Sequence, residues 1–171
     1  GRTLAEDEAN MAWLAQSEKN RAENVMIVDM IRNDMGRVAE TGSVAVPSLF
    51  DVARFPTLLQ MTSTVTARTQ ASLTEIFQAM YPCASITGAP KVSTMALIRD
   101  LEPEPRGVYT GAIGFISPEG RAQFNVAIRT VTVDREQETA VYNVGSGVVW
   151  DSEAESEYEE CLLKAKVLGQ K

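Results

Sequence analysis

The sequence predicts an α+β fold, in which an antiparallel sheet is accompanied by flanking helices. Segments with apolar residues at helical spacing occupy both ends of the chain, and β-rich segments lie between them. Three β segments follow one another in the second half, and a Pro-Glu-Gly turn at 118–120 joins the first two, which indicates an antiparallel hairpin. The length of 171 residues, with 44% apolar residues, is enough for one domain with a hydrophobic core.

The first half is predicted to begin with one long helix. Thr3 and Glu6 have the spacing of a capping box, and helical periodicity continues over about 5–35. Gly36 is a suitable residue for the end of this helix. Two β-rich segments follow, at 42–50 and 55–69.

The middle of the chain is predicted to contain two helices joined by a loop. Residues 72–82 have helical spacing and end at Pro82, and residues 83–90 have the small side chains of a loop. Pro90 suits the first turn of a second helix, which is expected to run to about Leu101.

The C-terminal part is predicted to consist of three strands and a closing helix. The helix is expected to start near Ser152, which forms a second capping-box pattern with Glu155. The strands correspond to 108–117, 121–134 and 139–150. The predicted buried stripe of the helix comprises Tyr158, Cys161, Leu162, Ala165 and Leu168.

Composition excludes several classes of function. A formal net charge of −7 argues against binding to nucleic acid or to an anionic membrane surface. The absence of histidine excludes His-dependent triads and the common zinc sites, so acid–base chemistry falls to carboxylates, Lys or Tyr. We expect a cytoplasmic protein, because there is no membrane-spanning apolar run or signal peptide and Cys83 and Cys161 fit reduced thiols.

Acidic residues on the first and last helices are candidate metal ligands. Glu157 and Glu160 lie three residues apart, and Lys164 follows Glu160 at the spacing of a helical ion pair. From these residues alone, a solvent-exposed helix face with a salt bridge is the favoured explanation, and a metal site is the alternative. Glu23 lies beside an apolar stripe, where either a basic partner or a Mg²⁺ ion would offset its desolvation.

Three further features suggest binding of a carboxylate. The segment 85–91, Ser-Ile-Thr-Gly-Ala-Pro-Lys, could present backbone N–H groups to an anion, although such loops are common. Tyr109 and Arg129 are expected on adjacent strands, and an Arg within an apolar stretch suits either a structural ion pair or a bound carboxylate. Gly145 lies at a predicted strand end, where a ligand can approach the backbone closely.

Seven segments in this order resemble the chorismate-utilising enzymes, the family that contains anthranilate synthase component I, aminodeoxychorismate synthase component I and the isochorismate and salicylate synthases. The matching segments cover nearly the whole chain: 17–34, 42–46, 85–91, 109–115, 125–130, 145–152 and 157–165. The resemblance implies the C-terminal part of an anthranilate synthase-like α/β sandwich.

The resemblance also implies roles for individual residues. Glu23 and Glu160 match magnesium ligands, with Glu157 in close support. The positions that match contacts to chorismate are Ser85, Thr87, Gly88, Tyr109, Arg129, Gly145 and Lys164. The metal would orient the substrate and act as a Lewis acid.

Within the family, the segments at 85–91, 124–130 and 145–152 favour the branch that makes aminodeoxychorismate, for p-aminobenzoate and folate synthesis, over the anthranilate branch. Gln60 stands where many members have a His that is linked to pyruvate elimination. The implied partners are chorismate and a glutaminase subunit that supplies ammonia. A chorismate- or partner-binding chain without catalysis is the alternative from a different class of function.

The resemblance covers only the C-terminal part of such enzymes. Residues 1–171 are therefore expected to be an incomplete part of the chorismate-binding catalytic domain. The Lys nucleophile, in a Pro-Ile-Lys-Gly-Thr motif, and the general-acid Glu would both lie upstream, so no catalytic residue is expected in this chain. Unpaired sheet edges predict association with the N-terminal part of the enzyme or with a second copy of the chain.

Overall fold

The computed structural model describes residues 3–55, 58–150, 152–166 and 169. The chain divides into two compact units, Gly1–Lys91 and Val92–Lys171, which we call unit 1 and unit 2. Helices and antiparallel strands occur in both, which confirms the predicted α+β class. Among the described residues, no helix is both long enough and apolar enough to cross a lipid bilayer.

Unit 1 contains one antiparallel hairpin with helices packed against it. Helix α2 contacts both strands of the hairpin as well as α3 and α4. Among the described residues of this unit, the buried hydrophobic ones are Val28, Ala79 and Ala84. Its elements are α1 (Leu4–Gln16), α2 (Glu18–Gly36), β1 (Ala45–Arg54), β2 (Leu59–Thr66), α3 (Leu73–Met80), α4 (Ala84–Thr87) and the first residue of α5 (Lys91–Leu101).

The helix predicted over 5–35 is divided into two, and its start and end are confirmed. Thr3 forms the predicted capping box with Glu6, and α2 ends at Gly36. The break occurs at Ser17, whose side-chain oxygen accepts a hydrogen bond from the Asn20 backbone N–H. A serine that caps a new helix in this way competes with continuation of the preceding helix.

The predicted loop at 83–90 contains the short helix α4. The helix before it is confirmed: α3 begins after Ser72, which forms a capping box with Glu75. Hydrogen bonds from Ser72 lower the pKa of Glu75, as expected for a carboxylate that accepts from the helix start. The helix after the loop, α5, ends at the predicted Leu101.

Unit 2 contains two separate antiparallel hairpins and a closing helix. The elements after α5 are β3 (Ala112–Ile116), β4 (Ala122–Val126), β5 (Val131–Asp134), β6 (Thr139–Tyr142) and α6 (Ala154–Ala165). Strand β3 pairs with β4 in a regular register from Ala112 opposite Val126 to Ile116 opposite Ala122, so the hairpin predicted around 118–120 is confirmed. Strand β5 pairs with β6 in the same manner.

The three long strands predicted for this part are wrong in their boundaries. The strand predicted over 121–134 is interrupted at Arg129, whose φ of +51° takes the backbone out of the β region. The strand predicted over 139–150 ends at Tyr142. The start of α6 also differs, because Glu153 is its N-cap and no side chain makes the predicted capping bond.

Apolar side chains remain exposed on both hairpins and on α6. All residues of β3 are exposed, and Phe115 retains 60% of its accessible surface. The predicted buried stripe of α6 is wrong for Tyr158 and Leu162, which are exposed in this chain, and Leu168 lies outside the described residues. Apolar side chains exposed in such number are normally covered by another element or another chain.

Candidate functional site

Three of the predicted binding residues meet in unit 2. The Lys164 ammonium donates a hydrogen bond of 2.8 Å to the Gly145 carbonyl oxygen. A Cβ atom added to Gly145 would lie 3.0 Å from the Tyr109 hydroxyl oxygen, so the Tyr109 side chain reaches the backbone of Gly145. A hydroxyl, an ammonium and a glycine backbone thus lie together, although these residues are far apart in sequence.

Helix α6 also presents Glu160 at this place. The Lys164 ammonium lies 2.5 Å from a Glu160 carboxylate oxygen, which is the helical ion pair predicted from the sequence. The Lys164 side chain is 25% exposed and that of Glu160 is 49% exposed. Because an ammonium has three N–H groups and two are used by Gly145 and Glu160, one donor remains for a ligand.

Glu157 is held by a residue that the sequence suggested for a different role. The Ser152 hydroxyl donates a hydrogen bond of 2.6 Å to a Glu157 carboxylate oxygen. The same oxygen of Ser152 accepts a bond of 2.9 Å from the Val149 backbone N–H. Ser152 therefore orients Glu157 and does not cap the helix with Glu155, which corrects the predicted capping box.

Tyr109 and Arg129 are not on adjacent strands as predicted. Both lie beyond the same end of the β3–β4 ladder, which two backbone bonds extend: Thr110 N–H to the Ala127 carbonyl and Ala127 N–H to the Gly111 carbonyl, each 2.9 Å. The Arg129 guanidinium makes no ion pair or hydrogen bond with the described residues. The structural ion pair, which the sequence allowed for Arg129 as the alternative to a bound carboxylate, is therefore not observed among the described residues.

The backbone at this end of the hairpin is in an uncommon conformation. Thr110 has a φ of +62° and Arg129 a φ of +51°, values that L-residues seldom adopt. Such strain persists only where surrounding contacts impose it, and it is concentrated at functional sites. The strain supports, on physical grounds, a specialised role for the segment around Tyr109 and Arg129.

In unit 1, the predicted binding loop is ordered by its own hydrogen bonds. Ser85 is exposed and lies 3.0 Å from the Cys83 sulfur, whereas the Thr87 hydroxyl donates to the Cys83 carbonyl at 3.3 Å. Gly88 ends α4 with φ +85° and ψ 179°, a conformation that is almost restricted to glycine. The loop is therefore a defined structure in which Gly88 has a conformational role.

A partly buried ion pair, not singled out from the sequence, anchors this loop. The Lys91 ammonium lies 2.6 Å from an Asp34 carboxylate oxygen, with the two side chains 18% and 11% exposed. Lys91 also donates to the Met80 carbonyl at 3.3 Å. These contacts connect the end of α2 and the end of α3 to the residue that follows the loop. Asp34 and Lys91 lie in the segments 17–34 and 85–91 that resemble the family, and this resemblance is the one feature of the sequence that points to them.

Glu23, the other predicted magnesium ligand, belongs to unit 1. Its carboxylate is exposed and lies 4.0 Å from the Lys19 ammonium, one turn earlier on α2. Among the described residues there is no group of three or more His, Cys, Asp or Glu side chains arranged to hold a metal ion. The candidate ligands Glu23, Glu157 and Glu160 nevertheless offer oxygen donors only, the type that Mg²⁺ prefers, often with one or two protein carboxylates.

The arrangement in unit 2 brings together donors of the type that suits a carboxylate and one acidic group of the type that suits a cation. Lys164 supplies a charged donor, Tyr109 supplies a hydroxyl, and Glu160 supplies a carboxylate that a divalent ion could share. A bound anion would gain charge-assisted hydrogen bonds. None of these groups is a histidine or a paired nucleophile, so the site fits binding and orientation of an anionic substrate.

Comparison with known proteins agrees with the residue pattern. The family model described as chorismate binding enzyme matches residues 1–170. The chain is 49% identical over 153 residues to aminodeoxychorismate synthase component 1 of Salmonella typhimurium, covering 88% of this chain and 33% of the relative. It is 41% identical over 170 residues to anthranilate synthase component 1 of Aquifex aeolicus, covering 98% of this chain and 34% of the relative.

A solved structure shares the fold. The crystal structure of anthranilate synthase component I from Streptococcus pneumoniae TIGR4 has a TM-score of 0.84 and 37% sequence identity. The match covers 97% of this chain and 38% of that one. The chain thus spans about a third of the length of these relatives.

Proposed function

Because the chain belongs to the family of chorismate binding enzymes, we propose that it is the C-terminal part of an aminodeoxychorismate synthase component I. The proposed reaction joins chorismate and ammonia to give 4-amino-4-deoxychorismate and water, and the ammonia comes from a glutaminase subunit. The relatives named aminodeoxychorismate synthase support this choice, because they match 88–98% of this chain at 43–49% identity.

The observation that carries the proposal is the meeting of the Tyr109 hydroxyl, the Gly145 backbone and the Lys164 ammonium. Chorismate has two carboxylates, and a chain with a net charge of −7 needs local donors to hold them. Lys164 and Tyr109 would bind one carboxylate, with Arg129 nearby at the end of the hairpin. Ser85, Thr87 and Gly88, in unit 1, are the other positions that the resemblance implies for chorismate binding.

Magnesium is the proposed cofactor, and the resemblance implies Glu23, Glu157 and Glu160 as the residues that would hold it. When bound, the ion would offset the charge of a substrate carboxylate. Glu160 already neutralises Lys164, so a cation on Glu160 would also release the ammonium for the substrate. Ser152 would keep Glu157 oriented through its hydrogen bond.

Binding is tested by isothermal titration calorimetry with chorismate, with and without Mg²⁺. Lys164→Met is expected to weaken binding about 10- to 100-fold, the effect of losing a hydrogen bond to a charged group. Lys166→Met is the control, because Lys166 is exposed at the end of the same helix. Equal affinities of the two variants would contradict the role of Lys164.

The metal proposal is tested by Mg²⁺ titration of Glu160→Gln and of Glu159→Gln. Glu159 is exposed and adjacent in sequence, so its replacement changes the net charge equally while leaving the ion pair of Glu160 intact. We expect only Glu160→Gln to abolish the effect of Mg²⁺ on chorismate affinity. An equal loss in both variants would indicate a general charge effect and would reject Glu160 as a ligand.

We further propose that turnover requires residues beyond this chain. The sequence contains no Pro-Ile-Lys-Gly-Thr segment, in which the resemblance places the nucleophile. The exposed apolar faces of the β3–β4 hairpin and of α6 would pack against the remainder of the enzyme, or against a second copy of the chain. Turnover by the 171-residue chain alone would refute this part of the proposal.

Anthranilate synthase is the second candidate, because relatives with that name match the same residues. The two reactions differ in products, since anthranilate formation releases pyruvate. Mass spectrometry of the products from chorismate and ammonia, with this chain in its complete enzyme, separates them. Anthranilate as the only product would overturn the assignment to the aminodeoxychorismate branch.

A further inference from the structure

The Tyr109 ring is contacted by an arginine to which the sequence assigned no role. The Arg106 guanidinium carbon lies 5.7 Å from the centre of the Tyr109 ring, within the range of a cation–π interaction. Its Nη1 atom donates a hydrogen bond of 3.4 Å to the hydroxyl of Thr110. Thr110 is buried and has a φ of +62°. Arg106 therefore contacts both Tyr109 and the residue whose unusual backbone conformation directs the chain into β3.

Arg106 is in turn held by Glu102. Nε donates to one carboxylate oxygen at 2.8 Å and Nη2 to the other at 2.6 Å, which gives a two-point contact that fixes the plane of the guanidinium. The Arg106 side chain is 23% exposed. The hydrogen bond lowers the pKa of Glu102 and raises the pKa of Arg106, so both groups are charged at neutral pH.

We infer that Arg106, anchored by Glu102, is a positioning residue that holds the Tyr109 hydroxyl beside Gly145, where it would contact a substrate carboxylate. The hydroxyl is the atom of Tyr109 farthest from the backbone, so a small rotation of the ring displaces it most. The contact with the guanidinium restrains that rotation, and the bonds of the guanidinium to Glu102 and Thr110 keep it in place against the ring. The identity of the ligand as chorismate rests on the proposed function, but the restraint on the ring does not.

The first test asks whether Arg106 acts through Tyr109. Chorismate affinity is measured by calorimetry for the wild-type chain, Arg106→Gln, Tyr109→Phe and the double variant. We expect Arg106→Gln to weaken binding about fivefold or more in the wild-type background and less than about twofold when Tyr109 is already Phe. An equal loss in both backgrounds, or no loss in the first, would overturn the inference.

A matched control is available in the preceding helix. Arg99 forms an ion pair of 2.9 Å with Asp100 on α5, and its side chain is 76% exposed. Arg99→Gln removes the same charge from the same unit without touching Tyr109, and we expect it to leave the affinity unchanged. A loss equal to that of Arg106→Gln would indicate that only net charge matters, which contradicts a positioning role.

The second test does not depend on any ligand. The chain has four tyrosines, so ring-labelled tyrosine gives a simple NMR spectrum in which Tyr109→Phe identifies the Tyr109 signal. Arg106→Gln is expected to shift or broaden this signal while those of Tyr142 and Tyr158 stay in place. An unchanged Tyr109 signal would refute the inference.

The two tests separate this inference from the proposed function. If the Tyr109 signal moves but the wild-type chain does not bind chorismate, the restraint on the ring stands and the proposed function fails. If the wild-type chain binds chorismate but Arg106→Gln changes neither the Tyr109 signal nor the affinity, the inference fails while the proposed function stands. Glu102→Gln, which keeps the guanidinium and weakens its anchor, serves in both tests if Arg106→Gln does not fold.

Discussion

Replacement of Asp34 by Asn tests the ion pair that anchors the predicted substrate loop. Removing one partner of a fully buried pair costs about 3–5 kcal/mol, because the remaining charge loses its compensation. This pair is only partly buried, because the Asp34 and Lys91 side chains are 11% and 18% exposed. Lys91 also donates a hydrogen bond to the Met80 carbonyl oxygen, which compensates part of its charge. We therefore expect a smaller loss, about 2 kcal/mol of the free energy of unfolding.

Asp29→Asn is the matched control, since it makes the same chemical change on the same helix. Asp29 pairs with Arg32 at 2.8 Å, but the two side chains are 70% and 51% exposed, so the expected loss is about 0.5 kcal/mol or less. Urea unfolding followed by circular dichroism gives the free energies, and hydrogen exchange shows whether the change lies at the end of α2 and in the loop. Equal losses for the two variants would refute the reasoning.

An apolar double replacement provides a second check on the same pair. Because a buried ion pair exchanged for apolar side chains of similar volume is often neutral, Asp34→Leu with Lys91→Met should recover much of the lost stability. If the free energy of unfolding of the double variant is lower than that of Asp34→Asn, then the hydrogen bonds of the pair also stabilise the fold, and mutual neutralisation of the two charges is not its whole role.

Three other predictions follow from local geometry. Gly88→Ala should cost about 1–3 kcal/mol in urea unfolding, because φ +85° with ψ 179° is unfavourable for a residue with a Cβ atom. The hydrogen bond with Arg106 lowers the pKa of Glu102 from 4.5, so the Glu102–Arg106 ion pair stabilises the fold above pH 4.5. This stabilisation is lost as the pH falls through the lowered pKa, and Glu102→Gln should remove this contribution to the pH dependence of the free energy of unfolding. Gly145→Ala should weaken chorismate binding about tenfold, because the new Cβ would lie 3.0 Å from the Tyr109 hydroxyl, whereas Gly147→Ala meets nothing within 4 Å and should have no effect in calorimetry.

Helices were predictable from the sequence where periodicity and capping residues agree. Thr3 and Ser72 each begin a helix with the expected capping box. The break at Ser17 falls in a run of six polar residues, 16–21, where the apolar spacing lapses between Ala15 and Ala22. A polar run alone does not decide the matter, because an exposed turn of one continuous helix would also be polar. The break depends on the conformation of Ser17, whose side-chain oxygen accepts a hydrogen bond from the Asn20 backbone N–H and so caps a second helix.

Strand boundaries in unit 2 were not predictable, because they depend on backbone conformation and not on residue type. The segment 121–134 alternates well enough for one strand, but Arg129 adopts a φ of +51°. Nothing in the identity of an arginine indicates such a value. Similarly, Ser152 could cap α6 or orient Glu157, and only the three-dimensional contacts decide between these.

The sequence predicted the binding residues of the candidate site but not the residues that hold them in position. Tyr109, Gly145 and Lys164 were identified by resemblance, and the structure brings them together. Arg106 was missed, although Glu102 and Arg106 stand four residues apart in a segment rich in proline. A turn segment gives no periodicity from which to infer a contact, so an ion pair there has no sequence signature.

The contacts of Lys164 indicate how substrate and metal binding would be coupled in the proposed function. With Glu160 on one side and the Gly145 carbonyl on the other, the ammonium is already compensated, so it attracts a carboxylate only weakly. A cation on Glu160 would reverse this balance, because the carboxylate would then be shared and the ammonium would regain an unbalanced charge. Substrate and metal would therefore strengthen each other's binding, and each by the same factor. In this view Glu160 and Lys164 act as one unit, whose charge changes from neutral to positive only when the metal is present.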